Sequence, residues 1–301
     1  MSSREPDVSV VFETENEKAN HRIRLPDVME AWLRQTMRSR VLEWIIVSPR
    51  QASPEEAEIA RKAPARWTVG PAIRYYGLKN EGLRQARGRF TALADSDALP
   101  ADDWLERALG VLESSPADVA LVTGRTRYLS GPFSREMTIA QLPNQENAAH
   151  DTTHFLAHNV LLRTGLVRPM LFSGDAIRLG SDTHLAARLI EAGLRLRYDP
   201  SLSVTHNYSR HWTEIYAHCV VIGYAYGRFQ QHMGEPQVNP IKDFIGRVRL
   251  LLSRWHALRR PMGIPFWRLP FSLFFFGVYS TAAAHGLGLA RRDRPEPFAR
   301  F

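Results

Sequence analysis

The sequence predicts an α/β fold built on a mostly parallel, Rossmann-like sheet flanked by helices. Short apolar runs that are typical of buried strands alternate with amphipathic stretches of helical periodicity through the N-terminal two thirds of the chain. Several of the strand runs are rich in β-branched and aromatic residues, which favour strands. This alternation is typical of βαβ units, in which helices cover both faces of a parallel sheet.

The predicted elements follow one another in a regular order. Residues 8–14 (VSVVFET) predict the first strand, and residues 26–39 predict a helix that begins behind Pro26 and Asp27. The further predicted strands are 41–48, 66–70, 89–95, 119–129 and 194–199, and the further predicted helices are 75–88, 104–115, 183–193, 213–233 and 244–260. A loop rich in Ala, Glu and Pro is predicted after residue 48, and a long loop over residues 130–152.

The composition is that of a globular protein, with 44% hydrophobic and 23% charged residues. A chain of 301 residues can bury a substantial core. Cys219 is the only cysteine, which excludes an intramolecular disulfide and a cysteine-rich zinc site and suits a reducing cytoplasm. The N-terminus lacks an apolar stretch of signal-peptide length, so we expect a cytoplasmic location.

Two aspartates, Asp95 and Asp97, lie one residue apart at the end of a predicted buried strand. Unpaired carboxylates that lie so close repel each other and are costly to desolvate. In one interpretation they are turn formers or helix caps, and in the other a divalent cation joins them to a phosphate. Ligands of open α/β sheets bind beyond the carboxyl ends of the strands, and this position favours the cation.

Five segments, in the expected order, resemble family 2 glycosyltransferases of the bacterial type, which have the GT-A fold. They are VSVVFETEN, LEWIIVS, YGLKNEGLRQARGRFTALADSDALPADDWL, HNVLLRTGL and GSDTHLAARLIEAGLRLRYDPSLSVTH. The resemblance covers roughly residues 7–212. It implies the transfer of a sugar, with inversion at the anomeric carbon, from a nucleotide-diphosphate sugar to a glycan or a lipid-linked acceptor. UDP is the default nucleotide.

The resemblance also implies which residues contact the nucleotide sugar. They are Glu13, Thr14, Glu15, Ser48, Lys79, Asn80, Asp95 and Ser96. Ser48 stands where the family usually carries an acid, so it offers a hydrogen bond without a charge. In the alternative interpretation, Lys79 and Asn80 are ordinary solvated residues of a helix.

A metal site and a catalytic base are implied as well. Asp97, Asp95 and His206 would hold Mg²⁺ or Mn²⁺, although a histidine that ends a strand is also often structural. Asp182 matches the aspartate that deprotonates the acceptor hydroxyl, although Ser181 precedes it where the family has Glu. In the alternative interpretation Ser181 or Asp182 caps the following helix.

Three further side chains are candidates for contact with the acceptor or the sugar. His158 and Asn159 belong to a segment that faces the acceptor in the family. Trp212 either stacks on a sugar face or covers the core.

The C-terminal region differs in charge from the remainder of the chain. Residues 241–301 contain eleven Lys and Arg and three Asp and Glu, so they carry the whole net charge of +8. The sequence thus predicts a catalytic domain over residues 1–212, with a nucleotide-sugar half (1–100) and an acceptor half (101–212), and a basic helical region over 213–301. No nucleic-acid-binding motif accompanies the charge, so we expect an anionic membrane surface as the partner.

Residues 269–290 contain no Lys, Arg, Asp or Glu and are long enough for a membrane-spanning helix. Three interpretations are open: a helix that lies in the membrane interface, a spanning or re-entrant hairpin, and a soluble helix buried in a dimer or domain contact. We expect the first, with the protein peripheral on the inner face of the cell membrane.

Two alternative functions also remain open. A nucleotidyltransferase that acts on sugar phosphates also uses paired acids on a Rossmann-like sheet. A non-catalytic member that binds a sugar nucleotide, or that scaffolds a membrane-associated assembly complex, would explain Ser48 and Ser181 in place of acids.

Overall fold

The computed structural model describes residues 5–16, 21–70, 74–142, 144–174, 180–208, 211–234, 236 and 239–292. The last nine residues of the basic tail therefore lie outside the described residues. The chain divides into two compact units. The first consists of Met1–Arg127, Asn147–Asp175 and Ser181–Asn207, and the second of Tyr128–Glu146, Ala176–Gly180 and Tyr208–Phe301.

Nine strands and ten α-helices are found in the described part of the chain. In chain order they are β1 (Val8–Glu13), α1 (Leu25–Leu33), β2 (Val41–Ser48), α2 (Pro54–Lys62), β3 (Arg66–Val69), α3 (Tyr75–Gln85), β4 (Phe90–Asp95), β5 (Ala98–Pro100), α4 (Trp104–Ser114), β6 (Val119–Tyr128), α5 (Ser134–Gln141), β7 (His150–Thr152), β8 (Val160–Arg163), α6 (Thr164–Val167), α7 (Ser181–Glu191), β9 (Arg195–His206), α8 (Trp212–His232), α9 (Pro240–Leu258) and α10 (Leu269–Arg291).

The strands form one mixed sheet in the order β3-β2-β1-β4-β8-β6-β9-β5, and β7 pairs with β9. The pairings among β3, β2, β1 and β4 are parallel. The pairings β4–β8, β6–β8, β5–β9 and β7–β9 are antiparallel. The predicted α/β class is confirmed, and the four strands of the nucleotide-sugar half pair in parallel.

The pairing register decides which residues meet at the edge of the sheet. Glu13 lies opposite Asp95, because β1 and β4 run parallel and end together. Val160 lies opposite Leu93 in an antiparallel pair, so the residues that precede β8 lie beside those that end β4. His206 lies opposite Ala98, just beyond the two aspartates.

Two predicted loops contain regular structure. The loop after residue 48 contains α2, whose first turn is closed by a capping box in which Ser53 and Glu56 bond each other's backbone N–H groups. The predicted loop over residues 130–152 contains α5 and β7. Both elements are short, and eight residues of α5 give too few turns for a clear period. Tertiary packing of side chains such as Met137 and Ile139 stabilises α5 instead.

The predicted helix over residues 26–39 is shorter in the structure. α1 ends at Leu33, and a 3-10 turn at Arg38–Arg40 leads into β2. Between them Gln35 leaves the helical path, because its buried amide donates to the Ala101 carbonyl and accepts from the Leu105 N–H.

The second unit is helical and consists mainly of α5, α8, α9 and α10. Helices α8 and α10 approach each other through small residues. A Cβ at Gly223 of α8 would overlap the carbonyl oxygen of Ala283, and a Cβ at Gly286 of α10 would overlap that of Val220. We call this contact the glycine seam. It gives α10 a fully packed inner face within its own unit.

The burial of α10 is relevant to the three interpretations of residues 269–290: an interfacial helix, a spanning or re-entrant hairpin, and a buried soluble helix. Among the described residues, one helix, Phe266–Arg291, is long and apolar enough to cross a membrane, and half of its most apolar stretch is buried in the protein. A core helix of a soluble protein can have the same length and composition. The inner face of α10 is thus buried by the glycine seam, and the outer face is the part that a membrane could contact.

Candidate active site

The carboxyl ends of β1 and β2 form the first part of the candidate site. Glu13 and Ser48 are the last residues of these strands, and both are fully buried. The Thr14 hydroxyl donates to Ser48 Oγ at 2.7 Å, and the Tyr75 N–H donates to the Glu15 carboxylate. The structure thus brings the predicted nucleoside-contacting residues together at one edge of the sheet.

Asp95 is the most heavily bonded group in this region. The Lys79 ammonium donates to Asp95 Oδ1 at 2.6 Å, and both side chains are buried. The Tyr75 hydroxyl lies 3.0 Å from each of the two carboxylate oxygens. Burial alone raises the pKa of a carboxyl group, but the Lys79 and His206 charges hold the pKa of Asp95 well below its usual range.

Asp97 is buried with less compensation than Asp95. Its Oδ1 lies 3.4 Å from His206 Nε2 and accepts no hydrogen bond from the described residues. Burial and the neighbouring Asp95 charge raise the pKa of Asp97 to about 6. A buried carboxylate oxygen without a hydrogen bond is costly unless a cation lies beside it, either the protonated His206 imidazole or a bound metal ion. With a neutral His206, the unbonded Oδ1 and the neighbouring imidazole nitrogen fit a divalent cation.

His206, a predicted metal ligand, lies beside both aspartates. Its Nε2 is 3.9 Å from Asp95 Oδ2 and 3.4 Å from Asp97 Oδ1. Burial disfavours its charged form, but the Asp97 and Asp95 carboxylates outweigh this effect and raise the pKa of His206 to about 9.

Sequence reasoning assigned His158 to the acceptor side, and the structure also brings it against the aspartates. Its Nδ1 is 3.7 Å from Asp95 Oδ2, and its ring centroid is 4.7 Å from that of His206. One ligand atom from each of Asp95, His158 and His206 lies within 4.8 Å of the other two. Burial and the charge of His206 lower the pKa of His158 to about 3, so its imidazole is neutral near pH 7.

Asp182, the predicted catalytic base, lies half-buried in the first turn of α7. Its Oδ1 accepts from the Thr183 N–H at 2.9 Å, and its carboxylate accepts a hydrogen bond from the Tyr76 hydroxyl. Desolvation is the largest cause that raises the pKa of Asp182 to about 6. Ser181 Oγ accepts from the Ser173 N–H at 2.7 Å.

Tyr75 and Tyr76 were not predicted. They open α3 side by side, with ring centroids 4.7 Å apart, and contact Asp95 and Asp182 respectively. The doubled tyrosine at residues 75–76, shortly before Lys79, was the only sequence signal for them.

Two predicted nucleotide-contacting residues have other surroundings. The Asn80 amide donates to the Phe172 carbonyl at 2.9 Å and accepts from the Phe172 N–H at 2.8 Å, so it holds the backbone at Phe172. Ser96 is buried between the two aspartates, and its hydroxyl has no hydrogen-bond partner among the described residues.

The remaining candidates are placed as follows. Asn159 accepts from Trp104 Nε1 at 2.8 Å and is fixed in the core. Trp212 belongs to the second unit, where it packs against Phe133 and Phe274 and remains partly exposed.

Comparison with known sequences finds a family match over about half of the chain. Residues 25–173 match the model of the family "Glycosyl transferase family 2". The Pre-mycofactocin glycosyltransferase of Mycobacterium tuberculosis is 32% identical over 149 residues, which are 46% of this chain and 30% of that protein. The Succinoglycan biosynthesis protein ExoO of Rhizobium meliloti is 30% identical over 142 residues, 42% of this chain and 39% of that protein. The chain thus spans well under half of the length of these relatives.

Solved structures share the fold over more of the chain. The mannosyltransferase PcManGT of Pyrobaculum calidifontis, solved with GDP-Man and Mn²⁺, has a TM-score of 0.67 at 16% identity and covers 97% of this chain and 88% of that one. S. aureus TarS (residues 1–349), solved with UDP-GlcNAc, has a TM-score of 0.54 at 12% identity and covers 96% and 92%. At these identities the likeness concerns the fold.

Proposed function

Because the chain belongs to glycosyltransferase family 2, we propose that it is an inverting glycosyltransferase that uses a nucleoside diphosphate sugar as donor. The observation that carries this proposal is the combination of two groups in the first unit. A buried carboxylate and imidazole cluster fits a divalent cation, and a separate half-buried aspartate has a pKa near that of a general base.

The donor half of the site follows from the strand ends. Glu13, Thr14, Glu15 and Ser48 would hold the nucleoside, with UDP as the first nucleotide to test. Asp97, Asp95 and His206 would hold Mg²⁺ or Mn²⁺, which supplies positive charge to the diphosphate as it leaves. Lys79 keeps Asp95 ionised and in place through their buried ion pair.

The acceptor half centres on Asp182. Its carboxylate would take the proton from the acceptor hydroxyl, which attacks the anomeric carbon in a single displacement. Tyr76 and the Thr183 N–H orient this carboxylate through two hydrogen bonds. The pKa of about 6 leaves the base ionised at neutral pH and still basic enough to accept a proton.

A membrane surface is the partner that we propose for the second unit, with a glycan or lipid-linked sugar as the acceptor. Phe266, Trp267, Phe271 and Phe274, the aromatic patch, are each more than half exposed. Arg259 packs over the Phe266 ring at 5.5 Å, and Arg260 beside it is exposed. Aromatic residues mixed with arginines are typical of surfaces that enter the interface of an anionic membrane. We propose with it a cytoplasmic, peripheral location on the inner face of the cell membrane.

The test is a panel of nucleotide sugars with Mg²⁺ or Mn²⁺ and a membrane lipid extract as acceptor. We expect one donor to release its nucleoside diphosphate, and the Asp97→Ala variant to lose this release. The anomeric configuration of the product, determined by NMR, should be opposite to that of the donor. A variant of a partly exposed acid that pairs with Arg195 outside this cluster, Asp118→Ala, is the matched control.

Two outcomes would contradict the proposal. Release of pyrophosphate from a nucleoside triphosphate and a sugar phosphate would identify a nucleotidyltransferase. Binding of a donor without hydrolysis or transfer, in the presence of metal and extract, would identify a non-catalytic member.

A further inference from the structure

We propose that His158 is an additional metal ligand and that it gives the site a preference for a first-row transition metal such as Mn²⁺ over Mg²⁺. The inference rests on the proposed function, since it concerns the cation of the same site. It goes beyond the ligand set Asp97, Asp95 and His206, because it adds a second imidazole.

The distances place both imidazoles on one carboxylate oxygen. His158 Nδ1 lies 3.7 Å and His206 Nε2 lies 3.9 Å from Asp95 Oδ2. An ion that is bound about 2.1 Å from each of three ligands holds those ligand atoms roughly 3–4 Å apart. The three groups therefore fit around a single cation with minor side-chain adjustment.

The remote nitrogen of each ring is already held by an oxygen atom. His158 Nε2 lies 3.2 Å from the Thr126 hydroxyl oxygen, and His206 Nδ1 lies 3.1 Å from the Asn207 carbonyl oxygen. Metal-binding histidines usually donate this second N–H to such an oxygen, which fixes the tautomer and turns the other nitrogen toward the ion. Both rings are thus oriented as metal ligands are.

The chemistry of the ligand set argues for the class of ion. Mg²⁺ prefers oxygen ligands in an octahedral shell and retains several waters. Two imidazoles and a carboxylate form a set that suits first-row transition ions, including Fe²⁺ and Mn²⁺. Asp97, whose buried Oδ1 lies 3.4 Å from His206 Nε2, adds a further oxygen ligand.

The test measures metal binding, with Mn²⁺ alone and with Mn²⁺ plus UDP, on the full chain. The free Mn²⁺ signal in EPR gives the affinity, and competition by Mg²⁺ gives the relative preference. In the wild type we expect pulsed EPR to show ¹⁴N couplings from two imidazoles. In His158→Ala we expect one, with a 10–100-fold weaker Mn²⁺ affinity and at most about a twofold change for Mg²⁺.

His154→Ala is the matched control, because His154 is an exposed histidine of the same segment. His158→Gln, which keeps a polar side chain without the imidazole, serves if His158→Ala does not fold. Unchanged ¹⁴N couplings in the variant, an equal loss of affinity for both metals, or no Mn²⁺ binding by the wild type in either condition would overturn the inference. Two imidazole couplings in a chain without transfer activity would contradict the proposed function and leave the inference standing.

Discussion

Two adjacent tyrosines connect the proposed metal site to the proposed base. The Tyr75 hydroxyl lies 3.0 Å from both oxygens of Asp95, and the Tyr76 hydroxyl bonds Asp182. Both tyrosines lie at the start of α3. The N-terminus of this one helix therefore positions both Asp95, in the proposed donor site, and Asp182, in the proposed acceptor site. The Tyr76 hydrogen bond also stabilises the charged form of Asp182.

Replacement of the proposed base should separate chemistry from binding. We expect Asp182→Asn to lower the transfer rate by about 10²–10⁴-fold, because the amide cannot accept the acceptor proton. Donor affinity, measured by isothermal titration calorimetry, should change by less than about threefold, because Asp182 serves the acceptor. Near-normal turnover of this variant would contradict the assignment.

The pH dependence of transfer should report the same group. Only ionised Asp182 can act as the base, so we expect kcat/KM to fall as the pH drops below about 6 and to level off above it. Tyr76→Phe removes a hydrogen bond that lowers the pKa of Asp182, so the acid limb should move to higher pH. Tyr75→Phe, which contacts Asp95 instead, is the control and should leave the acid limb in place.

The site residues differ in how far local sequence could predict them. Asp95, Asp97 and Asp182 lie at a strand end or a helix start, and such positions are marked by the residues beside them. His158 lies against Asp95 because β8 runs antiparallel beside β4, and no local pattern encodes that strand order. Asn80 was predicted from its position, but its amide bonds depend on a segment 92 residues further along the chain.

At the level of elements, the glycine seam is the most sensitive contact of the second unit. We expect Gly286→Ala to destabilise this unit by roughly 1–3 kcal/mol, because the new methyl group overlaps the Val220 carbonyl oxygen. Gly288→Ala is the matched control on the same helix, where a Cβ meets nothing within 4 Å, and should gain up to about 1 kcal/mol of helix propensity.

The melting temperature of each variant, followed by far-UV circular dichroism, checks this difference. Equal melting temperatures for the two variants would mean that α8 and α10 do not approach as closely as described.

The helices and strands were largely predictable where the element is long enough to contain several repeats of its hydrophobic pattern. β2 has the predicted bounds, and α8 and α10 differ from prediction by one or two residues. α2 was missed although Ser53 and Glu56 have the spacing of a capping box, a signal that the Ala, Glu and Pro composition obscured. The sequence does not determine where Tyr128–Glu146 belongs, because its packing with later helices is non-local.

At the level of the whole molecule, the C-terminal region (residues 241–301) carries the net positive charge of +8. We expect the chain to bind vesicles of phosphatidylcholine with phosphatidylglycerol, and to bind pure phosphatidylcholine more weakly, because the arginines attract anionic lipid. Added salt should weaken this binding. Co-sedimentation measures both effects.

The double variant Trp267→Ser with Phe271→Ser should lose most of this binding, because the aromatic patch supplies its apolar part. Leu42→Ser, at an exposed apolar position of the first unit, is the control. Vesicle binding that is equal in the double variant and the control would contradict a membrane role for the patch.

The glycine seam affects how strongly α8 and α10 are held together in water and in lipid. Helices in backbone-to-backbone contact are held by van der Waals packing, which does not require the release of water. The contact between α8 and α10 is therefore about equally strong whether water or lipid chains surround the outer face of α10. In the proposed function, the enzyme can exchange between cytosol and membrane as an already folded body, and adsorption need not wait for a refolding step.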